Sequence, residues 1–161
     1  MKPLVVILMG SKADLVHCTK ISEACKQFGL ETVLHIASAH KTAGHALEIL
    51  QKYEADPRPK VYITVAGRSN ALSGFTDGAV KAPVIACPPV SEAFGGADIF
   101  SSLRMPSGIA PAVVLEPVNA ALLAAKILGL VDAEVQEQVG ASQKRAAEVI
   151  MADDISIHQE A

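Results

Sequence analysis

Four short stretches of this 161-residue chain gather residue types that can do chemistry. Ser38-Ala39-His40-Lys41 sets an imidazole beside an ammonium group, next to a serine that can cap a helix. An imidazole gives or takes a proton near neutral pH, and general acid–base catalysis of this kind is worth roughly 10²–10⁴ in rate. Lys41 adds a cation suited to phosphate. Gly10-Ser11-Lys12-Ala13-Asp14 brings a hydroxyl and a carboxylate to the start of a predicted helix. Backbone N–H groups are unpaired there, and the helix dipole favours an anion. Ser11 can bind a phosphate, and Asp14 can accept from ribose hydroxyls. The competing reading is a plain N-cap through Ser11 or Asp14. The stretch is not a Walker P-loop, because the second glycine and the Gly-Lys-Ser/Thr ending are missing.

The third stretch is Gly67-Arg68-Ser69-Asn70. Gly67 permits close backbone approach, and Arg68 can hold a carboxylate with two parallel bonds. Ser69 or Asn70 can instead cap the following helix. The fourth is Cys87-Pro88-Pro89. No base accompanies Cys87, so it reads as a buried structural thiol. The two prolines then shape a pocket wall, with a cis bond left open. A single histidine is more often structural than catalytic. What favours His40 is its loop and its lysine neighbour. His17 and His45 fall in predicted helices, His35 in a strand and His158 in the tail. No histidine pair has i, i+4 spacing and no cysteine pair has C-x-x-C spacing, so no metal site is expected.

These loops need a frame that brings them together. Leu4–Met9, Thr32–Ala37, Val61–Ala66, Pro83–Cys87 and Ala112–Leu115 are apolar runs of strand length. Continuous runs mark strands buried on both faces, as in parallel sheets. Helical spacing covers Asp14–Phe28, Thr42–Tyr53, Ala71–Val80 and Asn119–Leu128. Gly29 is a natural stop after the first helix. Asp132 reads as the N-cap of a last helix reaching about Met151, with a frayed tail from Asp153 to Ala161. Ser91–Ser102 is expected to be loop and short helix, with Gly95-Gly96 marking a lid or a tight turn. The alternation of strand and helix implies a doubly wound α/β fold with a parallel sheet. All four reactive stretches then follow strand carboxyl ends, which share one edge of such a sheet and form its ligand crevice. The chain reads as one domain, with a core over about 1–130 and a C-terminal helical arm over about 131–161.

Composition narrows the partners. Half the residues are apolar, aromatics make up 4%, tryptophan is absent and the formal charge is −3. Base-stacking platforms and basic surfaces are therefore poorly supplied, and neither nucleic acid nor an anionic membrane is an expected partner. No apolar stretch reaches the length of a membrane span. Three cysteines without a disulfide pattern suit a reducing compartment, and a soluble cytoplasmic protein is expected.

The ordered motifs resemble those of the PurE family of purine biosynthesis over roughly residues 4–130. They are Met9-Gly10-Ser11 with Asp14, Ser38-Ala39-His40-Lys41, Ala66-Gly67-Arg68-Ser69-Asn70, Cys87-Pro88-Pro89 and Ser101-Ser102-Leu103-Arg104-Met105-Pro106-Ser107-Gly108. The resemblance implies a flavodoxin-like three-layer α/β/α sandwich and an enzyme handling the carboxylation of 5-aminoimidazole ribonucleotide. Class I of the family isomerises the N5-carboxylated ribonucleotide and carries Gly-Gly-Ala-Ala-His-Leu in its third loop. Class II uses carbon dioxide directly and carries Gly-Arg-Ser-Asn, Cys-Pro-Pro and Ser-Ser-Leu-Arg. This sequence agrees with class II at those points and lacks the class I loop histidine. The resemblance further implies His40 as the catalytic proton carrier. It implies substrate contacts from Ser11, Asp14, Ser38, Lys41, Gly67 and Ser69, with Arg68 and Asn70 shaping the carbon dioxide pocket or holding the loop. It implies no cofactor and no metal, and a homo-oligomer, octamer or tetramer, in which the C-terminal arm lies on a neighbour.

Overall fold

The structure, a computed structural model, describes residues 1–159. Five strands form one parallel sheet: β1 (Leu4–Met9), β2 (Glu31–Ile36), β3 (Lys60–Val65), β4 (Val84–Ala86) and β5 (Ala112–Val113). Their spatial order is β2-β1-β3-β4-β5, the flavodoxin-like order. Among the described residues six α-helices accompany it: α1 (Leu15–Gln27), α2 (Ala43–Glu54), α3 (Ala71–Ala79), α4 (Phe100–Leu103), α5 (Pro117–Leu128) and α6 (Ala133–Gln159). The expected α/β class and parallel sheet are both present.

β1 explains why its run has no polar break. It pairs with β2 on one side and β3 on the other, and all six residues are buried. Val5, Ile7 and Met9 face the core built with α1, α5 and the first turns of α6. Leu4, Val6 and Leu8 face the core built with α2 and α3. Each such side chain contributes roughly 1.5–3 kcal/mol relative to exposure. At the edge opposite the reactive loops, Arg58 donates to Asp56 at 2.8 Å and to Glu31 at 3.0 Å. That pairing ties the turn before β3 to the start of β2.

Several boundaries differ from the sequence expectation, each for a local reason. α1 begins at Leu15, after a 3-10 turn over Lys12–Asp14. α5 begins two residues early because Pro117 takes a first-turn position, where its missing N–H costs nothing. β5 has two residues rather than four; Val114 still donates to the Ala86 carbonyl before the chain turns away. The frayed tail is corrected: α6 runs on to Gln159. No glycine or proline interrupts 141–159, and Ser156 and His158 bond back to the carbonyls of Asp153 and Asp154. The last two residues of the expected tail lie outside the described residues. Asp132 does cap α6, its Oδ1 accepting from the Val135 N–H at 3.0 Å. Among the described residues every peptide bond is trans, including those at Pro88 and Pro89. No helix of the described residues is long and apolar enough to cross a membrane.

Gly129 makes the link between α5 and α6 possible by its size alone, since its φ of −64° suits any residue. A Cβ there would lie 3.0 Å from the Ala125 carbonyl oxygen and 3.2 Å from the Gln136 Cα. Those are backbone atoms that cannot swing aside. Gly129→Ala is expected to destabilise the protein by about 1–3 kcal/mol, the usual cost of overpacking. Chemical denaturation would read this, and an unchanged midpoint would refute the contact.

Cys18, Cys25 and Cys87 are all buried in the first core. Burial pushes each thiol up to about 12. The native protein therefore keeps protons that the unfolded chain has already released. Stability from this source is full below about pH 9 and is lost as pH rises toward 12. Urea titrations between pH 7 and 11 are expected to show stability falling above pH 9. A Cys→Ala replacement of the three, if it folds, is expected to flatten that fall, and an unchanged slope would refute the assignment.

Candidate active site

The parallel register sets the site. Met9 at the end of β1 pairs with Ile36 of β2 and with Val65 of β3, so three loops leave the sheet at one level. The next backbone bonds continue the ladder into the loops: Ala37 donates to the Met9 carbonyl and Gly10 to the Val65 carbonyl, both at 2.9 Å. The chain reverses direction across the sheet between β1 and β3, the switch point where such folds bind ligands. An open cleft of about 600 Å³ lies there.

Eight of the nine residues singled out in the sequence line that cleft: Ser11, Asp14, Ser38, His40, Lys41, Gly67, Arg68 and Ser69. The ninth, Asn70, does not. It is 3% exposed and sits behind the wall as a helix cap. Its Oδ1 accepts from the Ser73 N–H at 3.2 Å, and its Nδ2 donates to Ser102 Oγ at 2.9 Å. For Asn70 the loop-holding role is therefore the one the contacts support.

The capping question at Ser11 and Asp14 has a different answer. Neither side chain accepts from a helix N–H. Ser11 Oγ instead donates to Asp14 Oδ2 at 3.3 Å, at the exposed mouth of the cleft. Both retain capacity for a ligand. Ser38 is partly engaged, its Oγ accepting from the Lys41 N–H at 3.2 Å while its own N–H donates to Thr42 Oγ1 at 2.9 Å. That small ring holds the turn from which His40 and Lys41 project. His40, Lys41 and Arg68 are exposed. Among the described residues neither Lys41 nor Arg68 pairs with a carboxylate. Two free cations facing one carboxylate, Asp14, bias the cleft toward an anion.

Arg68 carries the one strained backbone conformation of the site. Its φ is 59°, the only positive φ outside glycine among the described residues. Such a residue costs on the order of 1–3 kcal/mol and persists only where its surroundings fix it. Here Asp98 Oδ2 accepts from the Arg68 N–H at 3.0 Å, and Ser101 Oγ lies 3.2 Å from the Arg68 carbonyl. Ser101 Oγ also accepts from the Asn70 N–H at 3.0 Å. Sequence reasoning missed Asp98 altogether. Gly95 and Gly96, with φ of 57° and 78°, form tight turns that deliver it.

Cys87 directly follows β4 and precedes Pro88 and Pro89, its N–H donating to the Thr64 carbonyl at 2.8 Å. Its Sγ lies 3.4 Å from His17 Nε2 and 3.5 Å from the Leu115 carbonyl. Burial holds the His17 imidazole below its usual pKa, opposed by its bond to Cys87. A neutral imidazole facing a protonated thiol is a packed pair, not a nucleophile and its base. Neither group lines the cleft, whereas Pro89, Val90 and Ser91 do form one wall.

The comparisons with known proteins agree with this geometry. The family model described as AIR carboxylase matches residues 4–149. The phosphoribosylaminoimidazole carboxylase of Treponema denticola is 59% identical over 154 residues, covering 96% of this chain and 97% of that protein. The protein of the same name from Archaeoglobus fulgidus is 54% identical over 150 residues, covering 92% of this chain and 82% of that one. The crystal structure of Treponema denticola PurE matches with a TM-score of 0.95 at 58% identity, covering 96% of this chain and 98% of that chain. The reactive loops, the flavodoxin-like order and these relatives meet in one statement: the chain belongs to the AIR carboxylase, or PurE, family of enzymes.

Proposed function

We propose that this chain carboxylates C4 of 5-aminoimidazole ribonucleotide with carbon dioxide, giving 4-carboxy-5-aminoimidazole ribonucleotide in purine biosynthesis. One observation carries the choice of carboxyl donor: among the described residues His40 is the only imidazole lining the cleft, and the third loop offers Arg68 and Ser69 in place of a second histidine. The aminoimidazole ring is enamine-like, so C4 attacks the carbon of carbon dioxide. The new C–C bond leaves C4 bearing both a hydrogen and a carboxylate. His40 takes that proton, the C–H electron pair returns to the ring, and aromaticity is restored. One base suffices for this sequence. In reverse, protonated His40 delivers the proton to C4 and carbon dioxide leaves.

The remaining residues hold the nucleotide. Lys41, Ser11 and Ser38 suit the phosphate, and Asp14 suits the ribose hydroxyls. Gly67 and Ser69 line the wall where backbone and hydroxyl groups can meet the substrate. Arg68 reaches over the same cleft as a cation for the carboxylate.

We also read the chain as a cytoplasmic homo-oligomer, octameric or tetrameric, in which α6 lies on a neighbouring subunit. Only Val135 and Val139 of α6 are buried, while Val149, Ile150, Met151, Ile155 and Ile157 are exposed. Sedimentation is expected to give a species several times the 16.8 kDa of one chain. A monomer at micromolar concentration would sink this reading.

The activity is tested by supplying aminoimidazole ribonucleotide with bicarbonate, or the N5-carboxylated ribonucleotide alone, and following the C4-carboxylated product. Turnover of the first is expected. Turnover of the second only would assign the mutase reaction instead. His40→Asn is expected to lower kcat by about 10²–10⁴, with nucleotide binding within a few-fold. Near-normal rates would remove His40 from the mechanism. Lys41→Ala is expected to cost nucleotide binding about 1.5–3 kcal/mol and to leave binding of the dephosphorylated nucleoside nearly unchanged. Equal losses on both would mean that Lys41 does not hold the phosphate.

A further inference from the structure

We infer that Asp98 is a positioning residue for the reaction: its carboxylate holds Arg68 in the left-handed turn that presents Gly67 and Ser69 to the nucleotide. The inference rests on the functional reading above for what the turn presents, but its geometry stands apart from that reading. Asp98 does not line the main cleft. It lines a recess of about 10 Å³ behind it, with Gly67, Pro88 and Pro89. A Cβ on Gly67 would lie 3.9 Å from Asp98 Oδ2 and 3.4 Å from Pro89 Cγ. The carboxylate therefore sits against the back of the loop whose front faces the substrate.

Both polar backbone groups of Arg68 are engaged by one segment some thirty residues later. Its N–H goes to Asp98, and its carbonyl faces Ser101 Oγ. Ser101 Oγ is also 2.8 Å from the Asp98 carbonyl, so the clasp is braced on itself. A left-handed residue other than glycine needs such over-determination. If the Asp98 acceptor is lost, the φ of Arg68 can relax to a negative value. The peptide on either side then rotates, and Gly67 and Ser69 leave their places together. His40 stands on a different loop and is left where it is. The loss should therefore fall on nucleotide binding rather than on proton transfer.

Three variants test this. Asp98→Ala is expected to raise KM for aminoimidazole ribonucleotide by about ten-fold or more, with kcat within about three-fold, since small displacements of positioning groups are costly. Asp98→Asn keeps an oxygen that can accept from the Arg68 N–H, and is expected to stay within about three-fold of the parent in both constants. The third is Asp98→Ala combined with Arg68→Gly. Glycine adopts a positive φ without help, so Asp98→Ala is expected to add less than about three-fold to KM in that background. Hydrogen exchange at the Arg68 amide needs no substrate. It is expected to be slow in the parent and about ten-fold faster or more in Asp98→Ala. If the single variant does not fold, folding recovered in the double variant supports the hold on Arg68, and failure of both overturns it. An unchanged amide exchange rate, a KM within about three-fold of the parent in Asp98→Ala, or an equal cost in the Arg68→Gly background would each overturn the inference. A parent protein that turns over neither ribonucleotide would overturn the functional reading, and with it what the turn is held for. The exchange rates would still decide whether Asp98 holds Arg68.

Discussion

Parallel pairing of β1 with both of its neighbours is the constraint on which everything else depends. A six-residue run that is apolar at every position can be satisfied only in the middle of a sheet covered on both faces. That requirement places helices on each side and aligns the ends of three strands through Met9, Ile36 and Val65. Had β1 paired antiparallel with either neighbour, the Gly10 loop would have faced the opposite edge from its partner. The cleft is a consequence of register, and the reactive residues are placed on what the register leaves open.

Much of this is legible in the chain. The apolar runs at Leu4–Met9 and Val61–Ala66 announce buried parallel strands, and the loops after them carry dense groups of glycine, hydroxyl and charge. Asp98 is not legible, for a physical reason. It acts on a backbone N–H thirty residues away, and a backbone N–H leaves no mark in the sequence. The turn it holds is equally silent, because arginine does not signal a positive φ as glycine does. The length of α6 was hidden differently. A helix whose far half has no core to face shows little apolar periodicity, and the expected fraying from Asp153 rested on the usual behaviour of chain ends. The capping choices at Ser11, Asp14 and Asn70 were open in the sequence because the same residue types serve both purposes. Only the hydrogen bonds separate them.

The site divides its labour between residues that are spent on structure and residues left free. Asn70, Ser101, Ser102 and Asp98 have their polar atoms committed to the loop. Among the described residues the side chains of Ser11, Asp14, Lys41 and Arg68 do not pair with a distant element. A serine or a carboxylate in a cleft is thus informative only with its partners known. The buried thiols make the same point in reverse. Cys87 stands two residues before Pro89 of the cleft wall, yet burial keeps it protonated and apart from the chemistry.

The place of β1 between β2 and β3 has a consequence for how the chain is made. Leu4 pairs with Glu31 and with Lys60, so this strand is synthesised before either of its two partners exists. At about 5–20 residues per second, several seconds separate the emergence of Leu4–Met9 from that of β3. Through that interval the most apolar segment of the protein can pair with whatever strand edge it meets. Non-local parallel pairing is also intrinsically slow to form. The same six residues that anchor the folded enzyme are thus its main aggregation hazard during biogenesis, and they are the segment for which a holding chaperone would matter most.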